Sequence, residues 1–357
     1  MAEYPGVENE RRFSHEALHG VVRAVFERCG MAEADAEVLS DQLIKADLRG
    51  IHSHGVMRVP LYVGKLTKGG VDPKGRPRVT KDGIAAMVVD GGNNMGQIAG
   101  VFAMRQAIER ARTTGVAVAA VGNSNHAGAM EYYVRMAIEA GMIGIATTNA
   151  LPTMAPWGGI DKLVGLNPIG IGIPAGEEAP LVLDFAFGAT AHGRMQVYKQ
   201  KGIPIPEGWA FDQEGRPTTD IDQALAGLVQ PIGMYKGIGL AMAAGILSTL
   251  LSGAGYGTES GNMVDGPNPG RDGQFYLALN IAAFEDVATF KARMDKIIRE
   301  YRGTRLAPGV ERVFVPGAME EELERRQREE GVPLNEATVQ GIRDVVAQLG
   351  VDAAALQ

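Results

Sequence analysis

Apolar residues recur at helical spacing over residues 14–28 and again over 32–48, where Val38, Leu39, Leu43, Ile44 and Leu48 share one face. Two amino-terminal helices are predicted. A third helical stretch starts at Gly55, and Pro60, which has no N–H to give to a helix interior, predicts a kink or break within it. From residue 84 strand and helix spacing alternate: strand 84–90, helix 97–112, strand 116–121, helix 128–140 and strand 142–148. That alternation is the pattern of an α/β body, and taken locally it suggests a parallel sheet.

Residues 149–180 are dense in proline and glycine, and read as loops and short strands that bring backbone close to a ligand. A short strand over 181–184 ends in Asp184, and a second Pro/Gly segment covers 202–217. Residues 237–258 carry no charge and would span about 33 Å if wholly helical. Gly253, Gly255 and Gly257 should end that helix early, which predicts a buried core helix over 238–251 whose Gly239, Ala243, Ala244 and Gly245 allow close packing. A strand over 274–281, a helix over 286–301 and a short strand over 313–315 follow. Farther on, Glu321/Arg325, Glu322/Arg326 and Glu324/Arg328 are spaced as pairs on a solvated helix face, each contributing about 0.2 to 0.5 kcal/mol. No internal repeat or low-complexity segment interrupts the pattern.

Composition narrows the function. The 357 residues allow about two or three domains, and 45% hydrophobic with 22% charged residues is ordinary for a globular chain. A net charge of −7 argues against a nucleic-acid or anionic-membrane partner, because phosphate binding draws on a basic surface. One cysteine, Cys29, excludes an intramolecular disulfide and a thiolate zinc site and fits a reducing compartment. Residues 1–10 carry acids where an export signal would be basic and then apolar, so a cytoplasmic protein is expected.

Chemistry is concentrated in Arg49-Gly50-Ile51-His52-Ser53-His54-Gly55-Val56-Met57-Arg58, which holds two of the six histidines and two arginines. Imidazole exchanges protons near neutrality and guanidinium fits a carboxylate, so the segment reads as a site for a small carboxylate-bearing molecule. A plainer reading makes the same residues cations beyond a helix end, with Gly50 as its cap. His126 lies in a second loop, residues 122–128, between a predicted strand and a predicted helix, where open α/β sheets place ligands; there the plainer reading is a capping turn. No Walker motif is present. The lone G-x-G-x-x-A match, Gly170 to Ala175, has Pro174 where a helix should open and is read as chance.

Taken in order, Arg49 to Arg58, Asn123 to Gly128, Pro156 to Gly159, Gly165 to Pro168, Ile205 to Trp209, Pro217 to Asp220 and Tyr235 to Leu240 resemble the malate/L-lactate dehydrogenase family that lacks a Rossmann fold. Its members include ureidoglycolate and sulfolactate dehydrogenases, diketogulonate reductases and cyclic imino acid reductases. The resemblance implies an NAD(P)-dependent oxidoreductase that interconverts a 2-hydroxy (or 2-amino) acid and its 2-oxo (or imino) form, working as a homodimer. It also implies an α/β, α+β-like fold: a non-Rossmann cofactor domain with a largely antiparallel sheet, plus helical amino- and carboxyl-terminal regions. The expected units are 1–80 (helical, with the substrate motif), 81–315 (cofactor and sheet) and 316–357 (completing the helical part).

The same resemblance makes either His54 or His126 the acid/base. It assigns cofactor contacts to Asp184, Phe185, Ala186, Phe187, Gly188, Ala189 and Thr190, to Tyr235 and Lys236, and to Pro316, Gly317 and Ala318. Two positions depart from it: many members carry lysine at Arg194 and an acid or amide at Ala318. His192 and Arg194 could meet a 2′-phosphate, which would favour NADP over NAD.

Hydride transfer to a carbonyl leaves an alkoxide that must be protonated, a role read here for His54, with His126 as its rival and Ser53 hydrogen-bonding substrate or ring. If the chain is helical beyond Ser53, His54 and Arg58 lie four apart on one face and Arg58 can grip the substrate carboxylate. Backbone amides of 184–190 and the Lys236 cation are read as phosphate contacts. No metal is expected. The competing reading is a metal-dependent hydrolase using His52, His54, His126 and Asp47, and a third is a pure binding protein. Reduction of cyclic imino acids or sugar-derived keto acids is the alternative within the oxidoreductases.

Overall fold

The computed structural model describes residues 6–264 and 266–352; the His192 side chain lies outside the described residues. A seven-stranded sheet is formed by β1 (Arg78–Asp82), β2 (Ala86–Asp90), β3 (Val116–Ser124), β4 (Met142–Thr148), β5 (Ile169–Ile173), β6 (Leu181–Phe185) and β7 (Asp272–Asn280), in the order β1-β2-β3-β7-β4-β5-β6. Among the described residues only β2 and β3 pair in parallel. Every other neighbour is antiparallel: β1 with β2, β4 with β5 and β5 with β6 are successive strands of this sheet, and β7 returns late in the chain and inserts between β3 and β4. The sheet is therefore largely antiparallel, as the family resemblance implied and the local alternation did not.

The helices are α1 (His15–Arg28), α2 (Glu33–Leu48), α3 (Val59–Thr67), α4 (Gly96–Thr114), α5 (Glu131–Glu139), α6 (His192–Lys201), α7 (Ile221–Ala226), α8 (Tyr235–Thr249), α9 (Val287–Arg302), α10 (Ala318–Glu330) and α11 (Glu336–Leu349). Helices α4 and α5 cover one face of the sheet through small residues, and a side chain at Gly100 would collide with Tyr133 and Tyr276. On β5, a Cβ at Gly170 would lie 2.8 Å from Met130, and one at Gly172 would lie 2.9 Å from Val134 on α5. This Gly-x-Gly pair thus serves helix–strand contact.

The two ends of the chain share a core. Phe26, Leu39, Leu43 and Tyr62 pack with Val339 and Ile342, and strand Arg11–Phe13 pairs with Val332–Leu334. Ser14 and Asn335 cap α1 and α11 by accepting from Ala17 and Thr338 amides. A smaller unit holds α6, α7, a three-stranded sheet (Ala210–Phe211, Pro217–Thr218, Leu228–Val229) and the paired strands Pro152–Met154 and Val164–Gly165.

Several expectations are corrected. Pro60 starts α3 rather than breaking a helix, since its missing N–H falls in the first turn, where no helical acceptor exists. The stretch before it is two 3₁₀ turns, His52–His54 and Val56–Arg58, separated by Gly55, so His54 and Arg58 do not lie on one continuous helix face. Residues 313–315 form no strand; Val315 O accepts from Ala318 N in a turn, and Val182 N donates to Pro316 O just beyond. Helix α8 is not a buried core helix: Ile238, Ala241 and Ala244 are inside, while Leu240, Ile246 and Leu247, and Leu250 and Leu251 just beyond its end, are exposed. On α10, Glu324 pairs with Arg328 as expected, but Glu321 turns to Arg49 and Arg135, and Glu322 to Arg312. Among the described residues no helix is long and apolar enough to cross a membrane.

Candidate functional site

Asp47, in the last turn of α2, folds the histidine segment. Its Oδ2 accepts from Val56 N at 2.7 Å and its Oδ1 lies 2.7 Å from His52 Nδ1. A side chain at Gly55 would strike that carboxylate, so glycine is needed there. His52 is thereby committed to Asp47, while Ser53 Oγ lies 2.9 Å from His54 Nδ1 and Arg58 Nε donates to Ser53 O at 2.6 Å.

The loop after β3 brings the second histidine. Asn125 pins it, donating to Asn93 and Asn94 carbonyls and accepting from Gly270 N. The His126 ring then stacks on His54, with centroids 5.5 Å apart and planes inclined by 15°. His126 Nδ1 lies 2.7 Å from Tyr62 Oη on α3 and 3.2 Å from Gly128 N, and Gln97 Nε2 on α4 donates to Tyr62 Oη at 3.0 Å. Ser53, His54, Arg58 and His126 thus converge as the sequence suggested. Tyr62 and Gln97 were missed because both sit at buried positions of helices, where a packing role is the default.

Both imidazoles keep some accessible surface, yet protein surrounds them closely enough to disfavour charge. Burial, with the Arg58 cation adding to it, pushes His54 down to about 3. Burial, then the neighbouring His54 and Arg58, lowers His126 well below the ordinary histidine value. Burial likewise raises the Tyr62 phenol to about 12. At neutral pH the site holds two neutral imidazoles beside one guanidinium. Nearby, burial raises Asp272 to about 7 against the lowering effect of Lys65, which donates to Asn268 O.

Arg49 takes no part in this convergence. It is 2% exposed, with Nε 2.7 Å from Glu131 and Nη1 2.9 Å from Glu324. Burial works against its charge, but Glu131 and Glu324 outweigh it and hold the guanidinium protonated. The metal-site constellation also divides, Asp47 with His52 and His54 with His126. Among the described residues no group of three or more His, Cys, Asp or Glu side chains could hold a metal ion.

The expected cofactor residues are joined to one another only in part. Val182 donates to Pro316 O, and Gly317, at φ +91° before α10, packs against Val182. Asp184 accepts from Glu131 N at 2.8 Å, and burial, then the Glu131 charge, raises it to about 7. Phe185 and Phe187 meet edge to face at 5.1 Å, and Gly188 pairs with Pro231. The Phe187 and Ala189 amides already donate to Leu166 O and Gln230 O, which corrects the expectation that amides throughout 184–190 are open to phosphates. Ala186 is half-buried, Ala318 begins α10, and Tyr235 and Lys236 stand exposed at the start of α8. The Arg194 guanidinium lies 5.4 Å over Trp209.

Two features suit a dinucleotide. Thr190 Oγ1, just before α6, is buried with no hydrogen-bond partner among the described residues, and such an orphan needs a ligand or water to satisfy it. The first turn of α6 also abuts the histidine segment, since a Cβ at Gly193 would lie 3.1 Å from both Ser53 Cβ and Arg58 Nη2. Gly193 was not singled out in the sequence, and no motif marks it. A cavity of about 380 Å³, lined by Leu151, Thr153, Lys162, Met195, Gly257 and Ser260, opens beside the same helix.

Two stacked neutral imidazoles beside a guanidinium, with a buried unsatisfied hydroxyl at the start of the adjoining helix, are the equipment of an enzyme that exchanges protons with a small molecule. The model of the malate/L-lactate dehydrogenase family matches residues 13–343. The malate dehydrogenase of Pyrococcus abyssi is 35% identical over 352 residues, covering 96% of each chain. The ureidoglycolate dehydrogenase (NAD(+)) of Escherichia coli K12 is 32% identical over 324 residues, covering 90% of this chain and 92% of its own. The solved sulfolactate dehydrogenase of Methanocaldococcus jannaschii superposes with a TM-score of 0.89 at 34% identity, covering 96% of this chain and 98% of its own. The chain belongs to the malate/L-lactate dehydrogenase family, and is an NAD(P)-dependent dehydrogenase of 2-hydroxy acids.

Proposed function

We propose that Arg58 anchors the carboxylate of a small 2-hydroxy acid while His54 and His126 handle its hydroxyl, on a nicotinamide dinucleotide bound by residues 184–190, 235–236 and 316–318. The observation that carries the proposal is the 5.5 Å stack of two neutral imidazoles beside Arg58. When bound, the dinucleotide takes or returns the hydride at the carbon bearing the oxygen. The Nε bond to Ser53 O orients the Arg58 fork toward a carboxylate. A carboxylate there offsets the very cation that depresses both histidines, so substrate binding raises their proton affinity just when a hydroxyl proton must be accepted. Ser53 holds the His54 ring through Nδ1.

The relatives act on malate, sulfolactate and ureidoglycolate, which points to an acid with a second polar or anionic group on its far side. Thr190 Oγ1 and the Lys236 cation serve the dinucleotide. The test is a panel of malate, lactate, sulfolactate, ureidoglycolate, sugar-derived keto acids and cyclic imino acids with both dinucleotides, followed by nicotinamide absorbance. Turnover of imino acids alone, or of nothing in the panel, would overturn the reading.

A homodimer is proposed as well. Helix α8 and the residues that follow it present Leu240, Ile246, Leu247, Leu250 and Leu251 to solvent, a stripe of apolar surface of the sort that marks an interface. Light scattering should show a dimer, and the double variant Leu247→Glu/Leu251→Glu should shift it to monomer. A monomeric unaltered chain at micromolar concentration would refute the assignment.

A further inference from the structure

We infer that Tyr62 is a positioning residue that fixes His126 as its Nε2–H tautomer, so that His126 donates a hydrogen bond to the substrate oxygen and proton transfer falls to His54. The assignment of roles rests on the dehydrogenase reading above; the tautomer does not.

The argument starts from a group whose role is not adjustable. A backbone N–H only donates, and that of Gly128 lies 3.2 Å from His126 Nδ1, so Nδ1 is an unprotonated acceptor. The proton of the neutral ring therefore sits on Nε2. Tyr62 Oη, 2.7 Å from the same Nδ1, must donate its own proton there. Having spent that proton, the phenol oxygen needs a donor, and Gln97 Nε2 supplies it at 3.0 Å. Tyr62 is 1% exposed and Gln97 is fully buried, so no bulk water competes for either bond. Hydrogen bonds run one way, from Gln97 to Tyr62 to His126, across α4, α3 and the loop after β3.

The chemistry follows from that direction. Protonating Nδ1 would set its N–H against the Gly128 N–H and force Tyr62 to reverse, which the Gln97 amide opposes. His126 is thus held from becoming an imidazolium and keeps its proton on Nε2 throughout, the state in which a neutral imidazole polarises a carbonyl or steadies an alkoxide. His54 is built differently. Its Nδ1 faces Ser53 Oγ, a hydroxyl able both to donate and to accept, so His54 can take the substrate's hydroxyl proton, become an imidazolium and give the proton back.

Nitrogen NMR of the full chain with ¹⁵N-labelled histidine reads the tautomer without cofactor or substrate. Nε2–H with bare Nδ1 is expected for His126, and a protonated Nδ1 would overturn the inference. In Tyr62→Phe, the signal should become a mixture of tautomers, and kcat should fall by about tenfold or more with KM changed less than about twofold. An unchanged tautomer and kcat in that variant would equally refute it. Should Tyr62→Phe not fold, Gln97→Met makes the same test through the phenol's lost donor. The roles are separated by amides, which donate but cannot shuttle a proton. His126→Gln should keep about tenfold more kcat than His126→Ala, whereas His54→Gln should be no better than His54→Ala. Equal rescue at both positions would sink the division of labour. A fixed Nε2–H in a chain that turns over no hydroxy acid would count against the dehydrogenase reading and leave the tautomer lock standing.

Discussion

Replacing Arg49 by methionine should be among the most damaging single changes outside the catalytic cleft, and the damage should depend on pH in a set direction. Arg49 and the Glu131 side chain are 2% and 5% exposed, and the guanidinium holds Glu131 at 2.7 Å and Glu324 at 2.9 Å. Methionine fills most of the same volume, so the cost is chiefly electrostatic. It leaves a buried carboxylate whose charge burial and Glu320 disfavour, with Arg135 still favouring it. Breaking one side of such a pair costs about 3 to 5 kcal/mol. At about 2.1 cal/mol/K per residue this is a fall of about 4 to 7 °C in Tm.

The pH dependence comes from Glu131. Burial raises its carboxyl and Arg49 works to lower it; without Arg49 the folded-state value rises further above the unfolded one of about 4.3. A group raised by folding costs nothing while protonated in both states and costs progressively more as pH climbs through its folded value. The deficit of Arg49→Met should therefore be small near pH 5 and full near pH 8. The double variant Arg49→Met/Glu131→Leu removes the stranded charge and should recover to within about 2 kcal/mol of the unaltered chain. Denaturant titrations at both pH values measure all of this. A deficit under 1 kcal/mol at pH 8, a deficit equal at the two pH values, or a double variant no better than the single one would each show that the pair is not desolvated as described.

Three further outcomes are expected. Gly193→Ala places a methyl 3.1 Å from Ser53 Cβ and Arg58 Nη2, so KM for the acid should rise about tenfold while Tm holds or increases, as alanine favours helix; an unchanged KM would detach α6 from the substrate site. Arg58→Lys, which keeps charge but loses the fork, should lower kcat/KM by about a hundredfold, mostly through KM, and wild-type kinetics would remove Arg58 as the carboxylate anchor. Asp272→Asn deletes a carboxyl raised to about 7, whose contribution is complete below its unfolded value of about 3.9 and is lost as pH rises to 7. Relative to the unaltered chain, its stability should therefore gain about 1.4 kcal/mol per pH unit across that window, and a flat difference in urea titrations would mean Asp272 is ionised in the fold.

Local periodicity recovered what local forces decide. The strand predicted over 142–148 is β4 to the residue, because its alternation is set by one buried face. The helix expected over 238–251 exists as α8, but its burial was misjudged. An uncharged helix says only that apolar neighbours are wanted, and Leu240, Ile246 and Leu247 of this one stay exposed among the described residues. Strand direction was invisible for a different reason: β7 enters between β3 and β4 from beyond residue 270, and no window around those strands contains it. Pro60 was misread because the pattern begins at Gly55 while the helix begins at Val59.

The site divides along the same line. His54, Arg58 and His126 were visible because such side chains are costly in a core and need a reason to be there. Tyr62 and Gln97 were not, since a buried polar group on a helix looks like packing until its partner is seen; Asp47 was visible only as a candidate metal ligand, and the structure gives it instead to His52 and the Val56 amide. Arg49 and Arg58 make the sharpest case, being the same residue type nine positions apart in one motif. One is neutralised by Glu131, 82 residues away, and by Glu321 and Glu324 at the far end of the chain. The other is turned by its own neighbour, Ser53, toward two histidines and the start of α6. What marks Arg49 as a structural cation is how many carboxylates the rest of the fold brings to it: three reach it, whereas the bond of Arg58 goes to the Ser53 carbonyl within its own motif, beside the two histidines.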